Sequence, residues 1–200
     1  FLGNRYERRR ALLFEEDLRL LNDALTGSIV DGRYWIWGGL LLGWARDGRV
    51  LAHDVGDADF AYSSADEDAF EAVEPRLRAA GFRRWFSFRN NRGERTEQVY
   101  VRHGFRFEFF RMDEVDPHTH QYYVYGSSTI GPVELVGRLP RQRLDSFEFL
   151  GRTWKKPCDH ELILSTCYGD WQTPDPSWSM FDDGSLVGCR PWRPTPGPAA

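Results

Sequence analysis

Apolar positions first recur with a helical period. Leu13, Leu18, Leu21 and Leu25 fall roughly on one side of residues 6–25, with Arg and Glu opposite, and Thr26-Gly27-Ser28 marks an end; the spacing predicts an amphipathic packing helix. The period then shortens. Residues 34–37 read as a strand, Gly38-Gly39 turns it into the apolar run Leu40-Leu41-Leu42, and Gly48 stops that short helix. A second strand follows through Asp57-Ala58-Asp59-Phe60, and Ala58, Phe60 and Tyr62 predict burial of residues 58–62. Ser63 or Ser64 should cap a helix whose first turn carries Asp66, Glu67 and Asp68, acids suited to a helix N-terminus. Pro75 interrupts this helix, and Gly81 ends the turn that follows.

The next stretch is β-like. Residues 82–89 form one strand candidate, Asn90-Asn91-Arg92-Gly93 is a turn, and residues 99–103 and 105–111 are two strand pieces divided at Gly104. In the last of these, Phe105, Phe107 and Phe109 share a face, so Glu108 points the other way with Arg106 and Phe110. Shorter strand candidates lie at 121–125, 133–136 and 147–150. Pro157 and Gly169 punctuate a helix between them. The absence of an internal repeat or linker predicts one domain over residues 1–193, with a loose Pro-rich tail over 194–200.

Composition changes this picture little. A chain of 200 residues with 41% hydrophobic content supports one sizeable core. A net charge of −4 argues against wholesale nucleic-acid binding. No apolar run is long enough to span a bilayer. Arg8-Arg9-Arg10 is followed by only a short apolar run before Glu15, unlike a signal peptide. Cys158, Cys167 and Cys189 have no metal-ligand spacing, which predicts free thiols and a cytoplasmic setting.

The candidate chemistry sits where the strands and glycines meet. Alternation sends Asp57 and Asp59 to one face of a rigid strand opposite Gly38 and Gly39, an arrangement suited to a divalent metal beside a phosphate. Glu108, inside an apolar strand, is costly to bury unless paired or metal-bound. Three such carboxylates suit Mg2+ or Mn2+. The glycine turn is not a Walker loop, because no Gly-Lys-Ser/Thr follows, and its spacing, Gly-Gly-x-x-x-Gly, is not a dinucleotide fingerprint. Plainer readings stand beside these: surface acids at 57 and 59, an arginine partner for Glu108, a turn without a ligand at 38–39, and a local Arg46–Asp47 pair.

The segment from Trp37-Gly38-Gly39 to Arg46-Asp47-Gly48, then Asp57-Ala58-Asp59, Glu108 in its apolar strand, and Tyr168-Gly169-Asp170-Trp171-Gln172-Thr173-Pro174 together resemble the LicD and fukutin family of phosphotransferases, over about residues 34–178. The resemblance implies an α/β, nucleotidyltransferase-like (DNA polymerase β-like) fold, a mixed sheet flanked by helices. It implies a metal-dependent transferase that moves a choline-, ribitol- or glycerol-phosphate type of group from a CDP-linked donor to a glycan hydroxyl, releasing CMP. Asp57, Asp59 and Glu108 would be the catalytic residues and the ligands of Mg2+ or Mn2+. Gly38, Gly39, Arg46, Asp170 and Trp171 would face substrate and phosphate. The implied partners are a small CDP-linked donor and a glycan acceptor, with no nucleic acid and no transmembrane segment in this chain. Two alternatives stay open: a nucleotidyltransferase attacking the α-phosphate of a nucleoside triphosphate, and an inactive nucleotide- or glycan-binding relative. The family often has a compact acidic run just before Asp-x-Asp; here it reads His53-Asp54-Val55-Gly56-Asp57, which leaves the roles of His53 and Asp54 open.

Overall fold

The computed structural model describes residues 2–129 and 131–193; the tail expected at 194–200 lies outside them. The chain opens with α1 (Leu2–Leu25), which buries Phe14, Leu18, Leu21 and Leu25 completely. Phe14, not Leu13, completes the buried stripe, because the 14-18-21-25 spacing keeps one face while Leu13 falls at its margin. β1 (Tyr34–Ile36), α2 (Gly38–Asp47) and β2 (Asp57–Ser63) follow as expected, and Gly48 ends α2 in the left-handed region at φ +66°. Ser63 caps a short 3-10 turn; the helical stretch after it is broken at Val73 into α3 (Glu67–Ala72) and α4 (Glu74–Ala79), with Pro75 in the first turn of the latter.

The β region is larger than the periodicity suggests. β3 (Arg83–Arg89), β4 (Arg95–Arg102) and β5 (Phe105–Asp116) run back and forth. The division at Gly104 is a tight hairpin turn: His103 and Gly104 both have positive φ, as a two-residue connection between twisted strands requires. β6 (Thr119–Ser128) and β7 (Gly131–Pro140) extend well beyond their apolar centres. β8 (Leu144–Phe149) and β9 (Arg152–Pro157) form a separate hairpin. Pro157 ends β9; α5 (His160–Tyr168) starts three residues later, and β10 (Leu186–Pro191) returns to pair β7. No helix among the described residues is long and apolar enough to cross a membrane.

The fold is a mixed sheet, mostly antiparallel, flanked by helices. β1 pairs β2 antiparallel, and β2 pairs β5 parallel. β5 then forks: its first half lies between β2 and β4, and its last residues pair β6. Parity sorts the side chains of this centre. Ala58, Phe60 and Tyr62 with Phe105, Phe107 and Phe109 form the closed face, all at most 4% exposed. Phe14 of α1 packs on Phe105 and Phe107, Phe70 of α3 on Tyr62 and Phe109, and Trp154 of β9 stacks on Phe60 at 5.8 Å. The opposite parity, Asp57 and Asp59 with Arg106, Glu108 and Phe110, makes the other face, over which α2 and α5 leave an opening.

Candidate active site

Register brings the acids together. In the parallel β2–β5 pair Asp59 lies beside Glu108 and Asp57 beside Arg106. Each of Asp57, Asp59 and Glu108 offers a carboxylate oxygen, and the three atoms lie within 4.8 Å of one another. His118 and His120 join no ligand cluster among the described residues.

The glycines answer to the acids. The Gly39 N–H donates to Asp59 Oδ2 at 3.2 Å. A Cβ on Gly38, at φ +49°, would lie 2.3 Å from Asp59 Oδ2, and one on Gly39 would lie 2.4 Å from Asp54 Oδ2. Gly38-Gly39 is therefore first a seat for two carboxylates; the Gly39 N–H expected to face a phosphate already serves Asp59. Asp54 is a fourth acid at the same turn. Its Oδ2 and Asp57 Oδ1 are buried oxygens without a hydrogen-bond partner among the described residues, and His53 Nε2 lies 3.6 Å from Asp54 Oδ1.

The arginine partner weighed for Glu108 is also present. Arg106 Nη1 lies 3.3 Å from Glu108 Oε1, and its other nitrogen bonds Asp57. Arg106 and Asp57 stay more than 40% exposed, so the cluster opens to solvent. Glu97 on β4 is a fifth acid, 3% exposed, one step diagonal from Glu108. The apolar pattern places the start of that strand at Val99, short of Glu97, whereas β4 starts at Arg95; the alternation of Glu97, Val99 and Val101 on one face is the signal that reaches it.

Crowding shows in the ionisation of these groups. Burial, then the charges of Glu108 and Asp57, push the Asp59 carboxyl well above its usual range. Burial and Asp57 push Glu108 up to about 7, against the pull of Arg106. Glu97 is raised by burial and by Glu108, and donates its hydrogen bond to Glu108. Asp57 and Asp54 are raised too, chiefly by burial. Between about pH 4.5 and 7 the folded protein thus holds more protons than the unfolded chain. Metal-free protein should therefore lose melting temperature as pH rises through that window, and millimolar Mg2+ should restore most of the loss at neutral pH. Thermal melts across the window, with chelator and with Mg2+, measure this; a flat, metal-insensitive profile would contradict the clustered charge.

A cavity of about 550 Å3 opens beside the acids. Gly38, Gly39, Arg46, Asp57, Asp59, Asp170 and Trp171 all line it, and Glu108 stands behind Asp59 outside that lining. Arg46, on the last turn of α2, is only 13% exposed; it lines the cavity and also pairs with Asp47 at 3.3 Å, so the functional and the plain reading both describe it. Asp170 and Trp171 arrive from the loop after α5, whose Ile163, Leu164 and Cys167 form the apolar wall. Trp37, Phe110, Tyr122 and Tyr168 supply aromatic surface. The sequence segment named for Asp170 and Trp171 continues into the cavity as Thr173 and Pro174. No family model matches this chain, and no curated protein matches it either.

The donor set fits a hard divalent cation. All donors are carboxylate oxygens, Asp57 and the neighbouring Asp54 and Glu97 each carry a buried oxygen without a hydrogen-bond partner among the described residues, and one arginine offsets only part of the assembled charge.

Proposed function

We propose that this chain is a metal-dependent phosphotransferase of the LicD type, taking a phospho-alcohol from a CDP-linked donor to a glycan hydroxyl and releasing CMP. The observation that carries the reading is the convergence of Asp57, Asp59 and Glu108, the first two of which line a cavity shared with Gly38, Arg46, Asp170 and Trp171. A nucleotidyltransferase-like core is supported by the order β1-β2-β5, with Asp-x-Asp on the middle strand and the third acid on its parallel neighbour. All three cysteines are free thiols, which supports a cytoplasmic setting.

Asp57, Asp59 and Glu108 would hold Mg2+ or Mn2+, which when bound neutralises phosphate charge. Arg46 steadies a donor phosphate by charge-assisted hydrogen bonds. The aromatic surface of Trp37, Tyr122 and Trp171 takes the apolar part of the donor and excludes water. As an alternative to holding the metal, Glu108 would take the proton of an attacking glycan hydroxyl. The hydroxyl oxygen then bonds the phosphorus on the alcohol side, the bond from that phosphorus to the CMP oxygen breaks, and CMP departs with the electron pair.

The test is incubation with Mg2+ and CDP-choline, CDP-ribitol or CDP-glycerol, each with glycan acceptors. CMP release that requires metal is the expected result. Pyrophosphate release from a nucleoside triphosphate would replace this reading with nucleotidyl transfer. The hold of Arg106 on Asp57 and Glu108 favours one second reading, a relative that binds donor without turnover; donor binding with no metal-dependent CMP release would establish it.

A further inference from the structure

The acidic cluster has a second cleft on its other side. This cleft, about 680 Å3, is lined by Arg10, Arg83, Trp85, Arg102, Arg106 and Asp57. Its basic wall follows from register. Arg83 pairs with Val101, Val101 with Arg106, and Arg106 with Asp57, so one row across four strands presents these side chains on one face. The adjoining row along the strands holds Val99, Glu108 and Asp59. Along β5 the same face therefore reads Arg106, Glu108, Phe110: basic cleft, acids, then the aromatic cavity.

Not all of these cations are engaged. Arg102 is held by the buried Asp17 and by the Ala80 carbonyl. Arg10 lies over the Phe105 ring at 5.4 Å, and neither Arg10 nor Arg83 has an ion pair among the described residues. Trp85, at the irregularity between Arg84 and Phe86, is 60% exposed, high for so large an apolar ring. In a chain of net charge −4, two guanidiniums without an ion-pair partner among the described residues, beside an open indole, form a local site for an anion joined to a flat apolar surface.

We infer that this second cleft is the acceptor site, and that the acceptor is an anionic sugar, one carrying a phosphate or carboxylate close to the hydroxyl that reacts. The inference rests on the phosphotransferase reading and adds the acceptor class to it. In-line displacement requires the attacking oxygen opposite the leaving group, and along β5 the two cavities meet the strand on either side of Glu108, at Arg106 and at Phe110. Arg10 and Arg83 take the anion as charge-assisted forks, and the Trp85 indole takes the apolar face of the ring. The cleft has room for one or two sugar units.

Calorimetry on the whole chain tests this with glucose 6-phosphate, glucuronate, glucose, inorganic phosphate and a single-stranded oligonucleotide, alongside CDP-choline with Mg2+. Glucose 6-phosphate and glucuronate should bind and glucose should not. Arg10→Ala and Arg83→Ala should each weaken glucose 6-phosphate about tenfold, the loss of one charged contact. Trp85→Ala should weaken glucose 6-phosphate more than inorganic phosphate. All three residues are exposed, so the fold survives the changes, and CDP-choline affinity should not move. Glucose binding as tightly as its phosphate, indifference to both arginines, or an oligonucleotide binding more tightly than glucose 6-phosphate would each overturn the acceptor assignment. A wild-type protein that binds the sugar anion but no CDP-linked donor would instead sink the transferase reading.

Discussion

Asp59→Asn should lower metal-dependent CMP release by on the order of 10^3-fold while raising the melting temperature of the metal-free protein at neutral pH. The two effects have one cause. Asp59 stands at the centre of the cluster, with Glu108 beside it across the parallel pair, Asp57 two residues along its own strand, and Asp54 facing the same glycine turn. Asparagine has the same shape, and its carbonyl can still accept the Gly39 N–H, so the backbone seat is kept. What is lost is a carboxyl that, among acids held so close, is costly to ionise in the resting protein. Removing it relieves repulsion in the resting protein and weakens the grip on a cation. Activity and stability therefore move in opposite directions, which general misfolding cannot imitate. Turnover within a few-fold of wild type, or a fall in melting temperature alongside lost activity, would remove Asp59 from the proposed role.

Gly38→Ala should do the reverse to stability. Gly38 sits at φ +49°, where a Cβ costs about 1–2 kcal/mol. The added methyl would also lie 2.3 Å from Asp59 Oδ2 and 3.0 Å from its Cγ, and overpacking of that kind costs about 1–3 kcal/mol more. A total destabilisation of about 2–5 kcal/mol is expected, together with lost CMP release as Asp59 is pushed from its place. A double-mutant cycle isolates the contact. Gly38→Ala in an Asp59→Ala background should cost less than in the wild type, because the contacts with Oδ2 and Cγ are gone and only the backbone strain and the 3.1 Å approach to the residue-59 Cβ remain. Equal costs in both backgrounds would mean that Gly38 serves the turn alone and not the carboxylate.

The parts of the site legible in the sequence were those set by period and turn chemistry. Alternation alone put Asp57 with Asp59 and turned Glu108 away from Phe105, Phe107 and Phe109, and the parities hold in the folded chain. Paired glycines ahead of an apolar run located the strand-to-helix turn, though not its purpose: that Gly38 and Gly39 make room for Asp59 and Asp54 depends on contacts across the turn. Arg106 as a clamp on Asp57 and Glu108 needed the parallel register of β2 and β5, which no local pattern encodes. Glu97 was lost because its strand begins with the polar run Arg95-Thr96-Glu97-Gln98, buried only because neighbouring strands cover it. β9 and β10 were lost for similar reasons. One carries Lys155 and Lys156 beside its single large core side chain, Trp154, and the other is a largely exposed edge containing Gly188 and Pro191.

Crystals grown with Mn2+ and a CDP-linked alcohol, measured for anomalous scattering at the manganese edge, put the central assignment to the most direct trial. A peak bounded by oxygens of Asp57, Asp59 and Glu108, with the Arg106 guanidinium withdrawn from Asp57, is the predicted result. Donor density in the aromatic cavity with no peak among these oxygens, and Arg106 still bridging Asp57 and Glu108, would contradict it.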